Sequence, residues 1–159
     1  MELWLAAFII GIVAGLRAMT APAAIAWGAA MGTPALGGTP LAFLGYAYTP
    51  WVLTLLAVGE LITDQLPSTP SRKVPLQFGT RLVVGALCGA ALALQGQAGW
   101  GGAAWGGAAA GLLGALAGTL GGAATRGWMA ARFGRDLPAA LIEDAVAIIA
   151  AFLVVWSLR

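Results

Sequence analysis

Apolar residues gather into five long runs, near residues 3 to 30, 50 to 66, 81 to 95, 103 to 130 and 138 to 158. A hydrocarbon slab about 30 Å thick asks for about 20 apolar residues per helix, so each run predicts a transmembrane helix. The first run holds Arg17, Thr20 and Pro22, which predicts a tilted or interrupted helix. Its break is expected at Thr20-Ala21-Pro22, where freed carbonyls either line a site or are satisfied by Thr20. Residues 31 to 49 carry Gly32, Pro34, Gly37, Gly38 and Pro40 and no charge, and residues 66 to 75 carry three prolines beside Arg72 and Lys73. Both read as connecting loops.

Composition turns this pattern into a class. Only 9% of the 159 residues are charged and 60% are hydrophobic, with a mean hydropathy of +0.90. Soluble domains are roughly 25% charged, so this chain must use lipid as its outer solvent. The expected fold is an all-α integral membrane protein, a single domain over residues 1–159 with about five spans. Eight Lys and Arg stand against six Asp and Glu without a basic run, which excludes nucleic acid as a partner. Cys88 is the one cysteine and there is no histidine, so disulfide frameworks, zinc or copper sites and Ser-His or Cys-His catalysis are excluded.

Topology follows from the bases. Arg72, Lys73 and Arg81 flank the second loop, Arg132 and Arg135 occupy the fourth, and the loops at 31–49 and 96–102 have none. By the positive-inside rule this places the amino terminus in the cytoplasm and the carboxyl terminus outside, with Arg159 running against it. Trp4, Trp51, Trp100, Trp105, Trp128 and Trp156 fall near span ends, as interfacial indoles do. Ala21-Pro22-Ala23 resembles a signal-peptide cleavage site, but Glu2 at the start and Arg17 in the apolar run favour a first span.

Two pairs of segments echo one another: Gly11-Ile12-Val13-Ala14-Gly15 with Gly114-Ala115-Leu116-Ala117-Gly118, and Leu61-Ile62-Thr63-Asp64 with Leu141-Ile142-Glu143-Asp144. With five crossings, spans 1 and 2 would be inverted copies of spans 4 and 5 about span 3, an arrangement recurrent in transporters. The competing reading is chance, in a chain dominated by Ala, Gly and Leu.

The informative residues are charges inside the apolar runs: Arg17, Glu60, Asp64, Arg126, Glu143 and Asp144. Each such Arg or Asp costs about 2.5 to 3.5 kcal/mol at mid-membrane, so they should face protein or water and pair together. Glu60 and Asp64 share a helix face, whereas Glu143 and Asp144 point about 100° apart, so only one of them is expected to face the same cavity. Four acids against Arg17 and Arg126 favour a cation or a proton, and oxygen ligands at Glu60, Asp64, Glu143 and Asp144 would suit Mg²⁺, Mn²⁺ or Na⁺. The plainer alternative is that the arginines fasten helices together. Glycines at 102, 106, 107, 111, 114, 118 and 122 form small-residue faces for helix packing within the chain or across a dimer.

The chain resembles a family of small bacterial integral membrane proteins known as domain of unknown function 4126. The resemblance is carried by Ala14-Gly15-Leu16-Arg17-Ala18-Met19-Thr20-Ala21-Pro22 and by Gly59-Glu60-Leu61-Ile62-Thr63-Asp64 with Leu66-Pro67 and Thr69-Pro70-Ser71-Arg72. Gly121-Gly122 and Glu143-Asp144-Ala145 complete it. It implies a bacterial inner-membrane location and supplies no activity. The expected function is a small transporter or channel for a small cation or a proton-coupled solute, not an enzyme, without cofactor. Glu60, Asp64, Glu143 and Asp144 would bind the cation or proton, with Arg17 and Arg126 as counter-charges and Thr20 at the break. A non-transporting scaffold or lipid-binding subunit packing through glycine faces is the alternative. A dimer or higher homo-oligomer in the bilayer is expected in either case.

Overall fold

The computed structural model describes residues 2–65, 74–97 and 99–158, so Arg72, Lys73, Arg159 and the motif residues 66 to 72 lie outside the described residues. The described residues form six α-helices and no strand: α1 (Leu3–Leu16), α2 (Thr20–Ala30), α3 (Thr49–Thr63), α4 (Pro75–Ala93), α5 (Gly102–Phe133) and α6 (Asp136–Trp156), with a 3-10 turn at Ala42–Gly45. Three of these, α4, α5 and α6, are long and apolar enough to cross a membrane; α1 and α3 are shorter apolar helices.

Backbone chemistry sets the ends. Pro75 opens α4 and Pro50 sits in the first turn of α3, where a missing N–H costs nothing. Gly134 ends α5 with φ at 68°, a left-handed conformation that glycine adopts without strain. Pro22 cannot donate to the carbonyl of residue 18, and its ring would clash there, so α1 does not continue unbroken through residues 17 to 19. Arg17 accordingly takes an extended conformation (φ −141°, ψ 108°), and α2 starts at Thr20.

The break is a reversal. Gly11 lies against Gly111, Gly15 against Ala115 to Thr119, and Trp4 against Gly106, so α1 runs parallel to α5. Gly85 meets Gly111 and Ala115 while Gly89 meets Gly107, so α4 runs antiparallel to α5. Helix α2 runs the other way from α1: Ala18 and Met19 adjoin Glu60 at the end of α3, whereas Trp27 packs on Trp51 and Gly28 on Val155. The first apolar segment is therefore a helical hairpin turning at residues 17 to 19, not one interrupted crossing. With the remaining four helices alternating in direction, Leu3 and Trp156 lie at the same end.

This geometry also removes the inverted repeat. One two-fold axis must relate both echoed pairs in the same sense, yet α1 is parallel to α5 whereas α3 and α6 run in opposite directions. The glycine echo has a different cause. Gly107 and Gly111 give α5 one close face for Gly85 and Gly89 of α4, and Gly114 and Gly118 give it another for α1. Where lipid is as apolar as leucine, backbone proximity of this kind replaces hydrophobic drive. The buried core is accordingly rich in alanine, with Ile10, Val13, Ile25 and Leu92 as its larger members.

A methyl group at Gly111 would collide with the Gly85 carbonyl oxygen, whereas one at the exposed Gly121 meets nothing within 4 Å. Gly111→Ala is expected to destabilise the protein by about 1–3 kcal/mol. Gly121→Ala should be neutral or stabilising by up to about 1 kcal/mol. Thermal unfolding of both variants in detergent reads the difference.

Candidate functional site

Charge is confined to one end of the bundle. Among the described residues every Asp, Glu and Arg except Glu2 belongs to the half holding the α1–α2 turn, the end of α3 and the α5–α6 turn. Six of the seven tryptophans lie at the opposite end, at the start of α1, α3 and α5 or the end of α2 and α6; only Trp128 is at the charged end. At 1.5 Å per residue, α1 and α3 are about 21 and 22 Å long, and α5 about 48 Å. The turn of the hairpin and the end of α3 thus stop inside the longer helices, and the charged layer lies there.

Arg17 occupies the turn and is fully buried (0% exposed). Its Nη1 donates to Asp64 Oδ2 and its Nε to Asp144 Oδ1, each at 2.6 Å, and its Nη2 lies 3.6 Å from Glu143 Oε2. Asp64 comes from the end of α3 and the other two acids from α6, so one guanidinium ties the hairpin to two helices. Gln65 adds a hydrogen bond from Nε2 to Asp144 Oδ2 at 3.4 Å.

The turn leaves helix ends whose backbone groups need partners. Glu60 accepts hydrogen bonds from the N–H groups of Ala18 and Met19, both 2.8 Å, which sets a carboxylate at the start of α2 where the helix dipole favours it. Arg81 Nη1 donates to the carbonyls of Gly15 (3.0 Å) and Leu16 (2.7 Å), closing the end of α1, and its Nη2 reaches Glu60 Oε1 at 3.2 Å. Thr119 also donates to the Gly15 carbonyl, at 3.3 Å. The freed carbonyls expected at the break are thus taken by Arg81 and Thr119. Thr20 does not serve them: its buried hydroxyl has no hydrogen-bond partner and lies on another face of the hairpin.

Arg126 stands at the edge of the layer. Its Nε and Nη2 hold Asp136 as a bidentate pair at 2.9 and 2.5 Å, Nη2 donates to the Asp64 carbonyl at 3.1 Å, and Nη1 is 3.6 Å from Glu143. Six of the expected residues (Arg17, Glu60, Asp64, Arg126, Glu143 and Asp144) are therefore brought together, and Thr20 is not. Glu143 and Asp144 both reach Arg17, Asp144 through a hydrogen bond and Glu143 at 3.6 Å. Arg81 and Asp136 are members that the sequence did not single out. Arg81 reads as a loop base only if its helix begins there; the signal was Pro75, which starts the helix six residues earlier and carries Arg81 into the bundle.

A cavity of about 310 Å³ opens beside this network between the α1–α2 turn, α3 and α4, lined by Ala18, Glu60, Thr63, Asp64, Leu76, Gln77, Thr80 and Arg81. Of the acids, Glu60 and Asp64 border it; Glu143 and Asp144 do not. Among the described residues no group of three or more acids or cysteines is arranged to hold a metal ion. The carboxylates expected as metal ligands are turned onto arginines and backbone N–H groups. A second space, about 180 Å³ and apolar, lies between α2, α3 and α6.

No family model, curated protein or solved structure matches this chain. The resemblance to the domain of unknown function 4126 family rests on its motifs alone.

Removing one partner of a buried ion pair leaves the other charge uncompensated, at a cost of about 3–5 kcal/mol. Arg17→Met is expected to lose that much or to fail to fold, Arg17→Lys to lose less, and Arg132→Met on the exposed surface to change stability by less than about 0.5 kcal/mol. Thermal unfolding midpoints in one detergent order the three.

Proposed function

We propose that this is a multi-pass protein of the bacterial inner membrane that moves a small cation, or a solute coupled to a proton, through the cavity at the charged end. The observation that carries the reading is the polar cavity itself. Glu60 and Asp64, one turn apart at the end of α3, border about 310 Å³ of space together with Gln77, Thr80 and Arg81. Intramembrane carboxylates that face a polar cavity mark ion and proton paths.

In this reading α3 to α6 cross the bilayer, and the α1–α2 hairpin enters and leaves by the same side. An even number of crossings replaces the five expected. The arginine-bearing end is cytoplasmic by the positive-inside rule. Both the Leu3 end of α1 and the Trp156 end of α6 are then periplasmic, where six tryptophans form an interfacial belt. This reverses the orientation expected for the amino terminus. The scaffold alternative draws less support, since Gly85, Gly89, Gly107, Gly111, Gly114 and Gly118 make contacts within the chain. Assembly of a dimer or higher oligomer would use other faces.

Two measurements test the reading. In proteoliposomes with an internal pH dye and a panel of monovalent and divalent cations, the wild type should conduct and Asp64→Asn, still folded, should lose at least tenfold in flux. Unchanged flux in the variant would remove Asp64 from the path, and no flux from the folded wild type under any gradient would end the transport reading. For orientation, a cysteine at Gly37 should react with an impermeant maleimide on intact cells, and one at Arg132 only after lysis; the opposite pattern would invert the topology.

A further inference from the structure

The polar cavity beside the α1–α2 turn presents acceptors that no described residue serves. Asp64 uses only one of its carboxylate oxygens: Oδ2 accepts from Arg17 Nη1 at 2.6 Å, while Oδ1 accepts nothing from the described residues. Oδ1 is not enclosed, since the Asp64 side chain is 13% exposed and the space it borders is this cavity. Helix α4 contributes Gln77 and Thr80 to the same space, three residues apart and so on one helix face. The Gln77 amide makes no hydrogen bond to a described residue. Thr80 spends its hydroxyl hydrogen on the Leu76 carbonyl at 2.8 Å, which leaves its oxygen to accept. Glu60 and Arg81 also border the cavity but are engaged with the turn: both Glu60 oxygens accept from backbone N–H groups, and Arg81 donates to the Gly15 and Leu16 carbonyls. Ala18 and Leu76 add apolar surface.

We propose that this cavity binds a small primary alkylammonium, whose N–H groups donate to Asp64 Oδ1, Gln77 Oε1 and Thr80 Oγ1 and whose alkyl group lies on Leu76 and Ala18. The proposal rests on the reading of the cavity as a cation path and narrows that cation to one class. An ammonium head has three donors and no acceptor, the complement of a free carboxylate oxygen, an amide oxygen and a hydroxyl oxygen. Mg²⁺ or Ca²⁺ asks for about six or more oxygen ligands. Here Asp64 Oδ1 is the one oxygen of the two bordering carboxylates left without a hydrogen bond, and among the described residues no group of three or more acids is arranged to hold a metal ion. Charge and size agree. Among the described lining residues two acids stand beside one base, which favours a cation, and about 310 Å³ is at the lower end of the roughly 300–1,000 Å³ of small-molecule pockets. The same head is carried by a free amine and by an ethanolamine phospholipid, and at the charged end of the bundle both are within reach.

The test is isothermal titration calorimetry of the full-length protein in phosphatidylglycerol nanodiscs with ethylammonium, and with tetramethylammonium, Na⁺ and Mg²⁺ for comparison. The wild type should bind one ethylammonium per chain saturably. Tetramethylammonium, which has the charge without N–H donors, should bind at least about tenfold more weakly. Gln77→Leu removes one acceptor at a half-buried position where the fold is expected to survive, and should weaken ethylammonium about three- to tenfold. Asp64→Asn should abolish binding. Repeating the wild-type titration with phosphatidylethanolamine in the nanodisc separates the sources: unchanged affinity assigns the site to a free amine, and competition assigns it to the lipid headgroup. Three results would overturn the proposal: no saturable ethylammonium binding by folded wild type, tetramethylammonium or Na⁺ binding as tightly as ethylammonium, or Gln77→Leu and Asp64→Asn both binding it as the wild type does. Saturable binding without protein-dependent ethylammonium flux in proteoliposomes would keep this assignment and end the transport reading. Proton or Na⁺ flux through a wild type that binds no ethylammonium would do the reverse.

Discussion

One buried guanidinium organises this protein. Arg17 sits where two helices meet head to tail, and its Nε and Nη1 are each 2.6 Å from a carboxylate on a different helix. A charge in this position is tolerable only while its partners are held in place. The orientations of α3 and α6 relative to the hairpin are therefore bound to the same ion-paired set, and any motion that separates them must rearrange it. Such a layer is either permanently closed or a two-state element, and a site for moving charge across a membrane needs the second property.

Around that centre, opposite charges meet opposite helix ends. Glu60 closes the exposed N–H groups at the start of α2, Arg81 closes the carbonyls at the end of α1, and the two side chains pair with each other. A helical hairpin with a three-residue turn thereby leaves few backbone groups without partners deep inside an apolar chain, where each unsatisfied group costs several kcal/mol. The same residues border the polar cavity, so the cap of the turn and the lining of the cavity are one structure. A change at Glu60 alters both at once, whereas Asp64 touches the cavity and Arg17 without serving the turn.

Glycine and alanine make this possible by bringing α1, α4 and α5 to backbone contact, which leaves long side chains to the outer surface and concentrates polar atoms in one layer.

Composition alone determined the class, because 9% charge cannot hydrate a surface of this size, and the apolar runs located α3, α5 and α6 to within three residues, while the first run held two helices and α4 began six residues before its run. The charges inside those runs marked the layer, since an ionised group in an apolar segment must find a partner. Three features were decided only in three dimensions. Pro22 announces that the first helix is interrupted, but a break is local, and whether the chain continues or turns back depends on packing of α1 on α5 and of α2 on α6. Arg81 became a member of the site only because Pro75 begins its helix early, so that a base expected at the surface lies against the end of α1. Finally, the echoed glycine motifs are legible as similarity, but only the directions of the helices show that they pack parallel to each other and that no single two-fold axis relates them. Sequence records which groups cannot face lipid; the partners that satisfy them are chosen by contacts between segments as far as 127 residues apart.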